Sequence, residues 1–335
     1  MMGDLEVYID VQKCIEVARV IKSLNINVDS FTNTEYYPPA TDDPIRVASY
    51  FFFMVAIDHR TSRPSRRFEG IVCGKYYKGS DLLYRLGMIR YQEDPNFFSA
   101  DRMEKVTTDE IRRWLSVKKP YYTCIWDPET RALLLRDAAR KLNMKYSGNP
   151  LKIFEREDVK CWLSRLSEFL AYSDPVAKKS FLLIKFLERR GLIGEVESSQ
   201  LEVPVDNHLT RIALRVGIVV PNEELMNLIR AGVEVSDEVD ILVRLAVRKA
   251  FSIVCEHARI RPTHLDDLLW SLGRTCCTKE RPVCIYGCNI VGECPTKYII
   301  SKCDNTCVFI EVCNAAKYGK SEKIYEHTKI NTWYY

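Results

Sequence analysis

The chain has 335 residues, 47% hydrophobic and 28% charged, enough for one large or two ordinary domains and too apolar for a disordered chain. Its formal net charge of +4 permits nucleic acid as a partner without requiring it. Residues 1–6 lack a basic stretch leading into an apolar core, and the longest apolar run, 50–57, is too short to span a bilayer. A soluble cytoplasmic protein without a signal peptide, and a monomer, is expected.

Residues 5–24 carry Val7, Val11, Ile15, Ala18 and Ile21 near helical spacing, which predicts an amphipathic helix. Residues 47–57 form a buried apolar segment, aromatic-rich like a strand yet long enough for a helix. Residues 58–69 are polar and Arg-rich and read as a loop. Residues 79–92 place Leu82, Leu83, Leu86 and Ile89 on one helical side. Thr107 and Glu110 make a capping box for the helix that follows. Asp127-Pro128-Glu129 predicts another helix start, with Asp127 as N-cap. Further helices are expected over 156–171, 175–190, 206–217, 221–231, 236–258 and 263–273. The chain is therefore expected to be mostly α. Three basic clusters could sit against phosphates or on solvated helix faces: Arg60, Arg63, Arg66 and Arg67; Lys178, Lys179, Lys185, Arg189 and Arg190; and Arg244, Arg248 and Lys249.

Thirteen cysteines are many for a cytoplasmic chain. Cys14, Cys73, Cys124, Cys161 and Cys255 are scattered and read as isolated thiols. The other eight fall between Cys276 and Cys313. From Cys277 through Cys284 and Cys288 to Cys294 the gaps are six, three and five residues. Four thiolates so close in sequence can converge on one centre, and soft sulfur selects an iron–sulfur cluster or zinc. One wide gap followed by two short ones favours a [4Fe–4S] cluster over zinc, whose sites show paired short gaps. A disulfide-rich tail is the alternative, disfavoured in a reducing compartment. Cys303, Cys307 and Cys313 repeat the gaps of three and five. With Cys276 they could form a second metal site or disulfides.

Gly273-Arg274 followed by Cys277, Cys284, Cys288 and Cys294 resembles the iron–sulfur loop that ends endonuclease III and the MutY-type adenine glycosylases, with one more residue in the middle gap. Residues 203–217, with Val205-Asp206-Asn207-His208, resemble the Val-Asp-Thr-His segment of the same superfamily, the helix–hairpin–helix DNA glycosylases. The resemblance implies a two-lobed helical fold, damaged DNA as partner and Asp206 as the catalytic carboxylate. An ordinary N-cap is the other role for Asp206, and His208 reads as structural. That superfamily's Gly-rich hairpin, whose amides hold a DNA phosphate, has no counterpart here. Residues 171–185 look more like the archaeal 8-oxoguanine glycosylases, which implies Lys179 as a Schiff-base nucleophile; a solvated lysine is the alternative. Phe51, Phe52, Phe53, Tyr76, Tyr77, Trp114 and Trp162 offer stacking partners for an extruded base, or core, and Lys279 and Arg281 offer a basic loop for phosphate.

A second resemblance, to the queuosine-salvage nucleoside glycosylases, runs through residues 79–115, with Pro95-Asn96-Phe97-Phe98-Ser99, and through 204–247, with Asp237-Glu238-Val239-Asp240. It implies the same helical fold, again with Asp206, acting on a free nucleoside or nucleotide. The expected organisation is an N-terminal helical lobe (1–150), a catalytic helical lobe (151–273), the Cys-rich loop (274–315) and a tail (316–335). The expected function is N-glycosylase, with or without strand cleavage at the resulting abasic site. A non-catalytic iron–sulfur protein that binds nucleic acid is the alternative from another class.

Overall fold

The computed structural model describes residues 5–63, 65–155, 158–288, 294–300, 303, 305–319 and 323–335. The fold is mostly α, with only short two-stranded pairings among the described residues. No helix among them is long and apolar enough to cross a membrane.

The chain forms two compact units, Met1–Asp29 with Leu201–Lys329, and Ser30–Gln200 with Ile330–Tyr335. This division differs from the sequence-based boundaries at 150 and 273. The reason is long-range packing. The N-terminal helix Val11–Lys22 buries Cys14, Val17, Ala18 and Ile21 and lies against Asp237–Ala258, so the chain's start belongs with its second half. Residues 7–9, expected within that helix, instead form a strand paired antiparallel with Val219–Pro221. Asp10 then starts the helix, its carboxylate accepting from Lys13 N at 2.8 Å.

In the first unit the helices Asn207–Val216, Glu223–Ala231, Asp237–Ala258 and Pro262–Thr275 follow the predicted spacing. Three of them begin on side-chain caps, Asp206, Asn222 and Ser236, each accepting from the amide three residues on. Short helices Val283–Tyr286, Pro295–Ile299 and Asn314–Lys317 punctuate the Cys-rich segment.

In the second unit the ambiguous segment is a helix, Pro44–Ala56. Every residue from Val47 to Ala56 is buried, so neither a helical nor a strand alternation could show in the sequence. Pro at its first turn and the Asp43 cap set its start. It packs against Lys178–Arg189, where Phe51 stacks on Phe186 with centroids 4.9 Å apart. Phe52 stacks on Tyr172, whose hydroxyl donates to Phe52 O at 2.5 Å. Phe51, Phe52, Phe53, Tyr77, Trp114 and Trp162 are therefore core rather than surface for stacking bases, and only Tyr76 of that set is exposed. Thr107 caps Thr108–Trp114 as predicted.

Candidate active site and cysteine cluster

Asp206 stands at the N-cap of Asn207–Val216, extended at φ −116° and ψ −170°. One carboxylate oxygen accepts from Leu209 N at 3.0 Å. Partial positive charge at a helix N-terminus favours a carboxylate in its ionised form. The cap role is thus filled, and it leaves the second carboxylate oxygen outside that bond.

The same helix carries two arginines that tie it to the Cys-rich segment. Arg211 and Arg215 are nearly fully buried, which is tolerable only because their guanidinium groups are satisfied by carbonyls and a carboxylate. Arg211 donates to Cys277 O at 2.8 Å, Gly273 O at 2.8 Å and Glu326 Oε2 at 2.9 Å. Arg215 donates to Thr278 O at 2.7 Å, Lys279 O at 3.0 Å, Ile324 O at 2.8 Å and Cys277 Sγ at 3.4 Å. Burial opposes the charge of Glu326, but Arg211 and then Lys279 outweigh it and hold its pKa down at about 2.

His208 is a structural group, as its sequence position suggested. Burial and then the Arg211 cation push its pKa down to about 3, so the neutral ring accepts from Arg211 at Nδ1, 2.9 Å away. Gly273 permits that packing. A Cβ there would sit 2.6 Å from His208 Cβ, so any side chain would force the two helices apart.

Lys179 lies in the other unit, at the start of Lys178–Arg189, and it is not solvated. It is 0% exposed. Its Nζ donates to Ala56 O at 2.6 Å and stands 3.4 Å from His59 Nδ1. Burial first, then Lys178 and Arg131, depress its pKa well below the ordinary lysine value. Two acceptors and a neutral amine leave the nitrogen lone pair available for nucleophilic chemistry. Lys178 and Lys185 are buried too, as is Arg244 of the third basic cluster, so neither cluster is simply a solvated face. The turn before the helix is made without glycine: Asp174 accepts from Val176 N and Lys178 N, and Ala177 takes the left-handed conformation at φ 57°.

The residues that set this amine were not singled out in the sequence. His59 Nε2 is 2.6 Å from Asp127 Oδ2, and Asp127 Oδ1 accepts from Arg131 Nε at 2.8 Å. Arg131 also donates to the carbonyls of Ile57, His59 and Arg60. Asp127 occupies the predicted N-cap position but makes no capping bond, because its carboxylate is committed to His59 and Arg131. Burial opposes its charge, yet Arg131 and His59 hold its pKa below the usual carboxylate value. Burial, then Arg131 and Lys179, push His59 well below the ordinary histidine value. The network assigns a neutral ring with Nε2–H toward Asp127 and Nδ1 accepting. Nothing local marks it, since His59 and Asp127 are 68 residues apart. The first unit repeats the pattern: Arg244 donates to Asp240 Oδ2 at 3.0 Å, and His327 Nε2 is 2.6 Å from Asp240 Oδ1.

These depressed histidines have a consequence for stability. Below about pH 6.5 the unfolded chain protonates His59 and His208 while the folded chain does not. Folding free energy should therefore fall as pH drops from 6.5, by up to about 1.4 kcal/mol per pH unit for each histidine. Chemical denaturation at pH 7 and pH 5 checks this. His208→Gln should flatten the slope, and equal stability at both pH values would contradict the neutral-ring assignment.

The eight clustered cysteines are all among the described residues, and no disulfide joins any of the thirteen there. Five line one apolar cavity: Cys276, Cys277, Cys284, Cys307 and Cys313, together with Ile212, Val216, Leu272 and Phe309. The thiols face a space rather than a point, for no three His, Cys, Asp or Glu side chains among the described residues stand where they could share a single metal ion. Of the four expected ligands, Cys277 and Cys284 face this cavity. Cys294 is buried at the N-cap of Pro295–Ile299, and Cys288 is half-buried; residues 289–293 between them lie outside the described residues. A set of soft sulfur donors around an apolar space, with the Arg215 guanidinium on Cys277 Sγ, fits a sulfur-ligated cluster. Lys279 and Arg281 are exposed beside it.

No protein-family profile matches the chain, and no curated protein matches it. Among solved structures the chain is similar to an 8-oxoguanine DNA glycosylase from Pyrobaculum aerophilum, determined in complex with 8-oxoguanosine. The likeness has a TM-score of 0.45 and 15% identity and covers 79% of this chain and 88% of that one. So distant a likeness carries no argument about activity.

Proposed function

We propose that this protein is an N-glycosylase that removes a damaged base from DNA, with Asp206 as the catalytic carboxylate. One observation carries the reading. The helix that Asp206 begins is fixed to the Cys-rich segment by Arg211 and Arg215, so the two parts that resemble the iron–sulfur DNA glycosylases belong to one framework.

Breaking the base–sugar bond leaves positive charge on the sugar. The Asp206 carboxylate, ionised at its helix N-terminus, stabilises that oxocarbenium character electrostatically. The target base first leaves the stack and enters a pocket. Water then attacks the anomeric carbon and gives up a proton, while the base departs with the bonding electron pair and takes up a proton. Where strand cleavage follows, the Lys179 amine is the nucleophile in place of water and forms a Schiff base with the opened sugar. His59 is a positioning residue for that amine, accepting one of its hydrogens. A [4Fe–4S] cluster in the Cys-rich segment would be structural and would shape the loop that presents Lys279 and Arg281 to phosphate.

One feature favours the free-nucleoside reading. The turn before Lys178–Arg189 has no glycine, so the phosphate-binding hairpin of the DNA enzymes is missing from its usual place.

The test is base release from duplex oligonucleotides containing 8-oxoguanine, uracil, thymine glycol or mismatched adenine, beside queuosine and its 5′-monophosphate. Release from an oligonucleotide, with a borohydride-trapped adduct lost in Lys179→Gln, is the expected result. Release only from the free nucleoside or nucleotide would make this a salvage enzyme. Release from none would overturn the proposal for these substrates.

A further inference from the structure

The family resemblance assigns one cluster to four consecutive cysteines. The structure groups the eight differently.

Four thiols border the apolar cavity between the Asp206 helix and the segment around Phe309: Cys277, Cys284, Cys307 and Cys313. Cys277 and Cys313 are both anchored to Arg215. Cys277 Sγ accepts from its guanidinium at 3.4 Å, and Cys313 Sγ donates to its carbonyl at 3.2 Å. Burial first, and then repulsion from the Cys277 thiol, raises Cys307 well above the ordinary thiol value. Cys313 is pushed up to about 11 by burial, with Cys277 and Cys284 adding to it. These four therefore feel one another across the cavity.

A second group forms around Cys276. Its pKa is pushed up to about 11 by burial, with Cys294 and Cys303 as the nearby thiols that add to it. Thr275 and Thr296 hold this corner together, Thr275 Oγ1 lying 2.5 Å from Thr296 Oγ1 and 3.5 Å from Cys276 Sγ. Cys276 also borders the cavity, so it stands between the two groups. Cys288 is the one cysteine of the eight left over.

We propose that the eight cysteines build two sulfur-ligated metal centres with interleaved ligands: Cys277, Cys284, Cys307 and Cys313 hold one, and Cys276, Cys288, Cys294 and Cys303 hold the other. Interleaving is how a chain places two clusters side by side, since a ligand from one end of the run reaches into the other centre. Thiolates bind as the thiols release their protons, so loading couples directly to folding of this segment. The repeated gaps of three and five residues, Cys284-Cys288-Cys294 and Cys303-Cys307-Cys313, then contribute to both centres rather than one each.

The inference rests on the metal-centre reading above, and its test separates the two. The full-length protein, purified or reconstituted anaerobically with iron and sulfide, is assayed for iron, zinc and acid-labile sulfide per chain. About eight irons are expected if both centres are [4Fe–4S]. Cys307→Ser and Cys313→Ser should each lose about half the metal, and Cys294→Ser and Cys303→Ser the other half. Should a variant fail to fold, alkylation of the wild type mapped by mass spectrometry reads the same partition. Cys277, Cys284, Cys307 and Cys313 should be protected together and become reactive together on chelation. Full metal content in Cys307→Ser and Cys313→Ser, with loss in Cys288→Ser and Cys294→Ser, would overturn the partition in favour of the consecutive set. A chain that takes up no metal would overturn the metal-centre reading itself.

Discussion

Asp206→Asn should lower base release by at least about a hundredfold while leaving stability nearly unchanged. The two effects separate because the carboxylate serves two purposes. As a cap it accepts from Leu209 N at 3.0 Å, and an asparagine carbonyl oxygen does that equally well. As a catalytic group it supplies a full negative charge against the developing cation on the sugar, and asparagine has none. Removing one preorganised electrostatic contact of this kind typically costs about 100- to 1000-fold in rate. Asp206→Ala would lose both functions and add about 1 kcal/mol of cap stability to the loss. Single-turnover release together with a urea melt distinguishes the cases. A release rate unchanged in Asp206→Asn would reduce Asp206 to a helix cap.

The largest stability effect is expected at Asp127. Asp127→Ala leaves Arg131, which is 0% exposed, with its carbonyl partners but no counter-charge. Breaking a buried ion pair by removing one partner costs about 3–5 kcal/mol, because the remaining charge stays buried. The loss is a large share of a typical folding free energy, so the unit carrying Asp127 should unfold at visibly lower denaturant. His59 loses its Nε2 partner at the same time, which loosens the ring that faces Lys179. Asp127→Asn keeps the shape and should cost less. A loss under about 1 kcal/mol for Asp127→Ala would mean that the carbonyl ring alone satisfies Arg131.

Much of this architecture was legible in the sequence, because helices announce themselves locally. The 3.6-residue periodicity and the caps at Thr107, Asp206, Asn222 and Ser236 gave the helices of both units to within a few residues. What was hidden depends on partners far along the chain. Residues 7–9 look helical until Val219–Pro221, more than two hundred positions on, pairs with them. Asp127 looks like a cap until His59 and Arg131 claim its carboxylate. Lys178, Lys179 and Lys185 look like a solvated stripe, yet their charge pattern gives no sign that Pro44–Ala56 covers them. In the Cys-rich segment the spacing marked a place for metal, but spacing along a chain does not say which thiols share a space. That depends on how Phe309 and Cys313 fold back beside Arg215.

The most direct test of the central claim is single-turnover base release from a duplex containing 8-oxoguanine, wild type beside Asp206→Asn. Release by the wild type that falls a hundredfold or more in a normally folded variant is the predicted result. Equal release by both proteins, or none by a folded and metal-loaded wild type on this or any other damaged duplex, would contradict it.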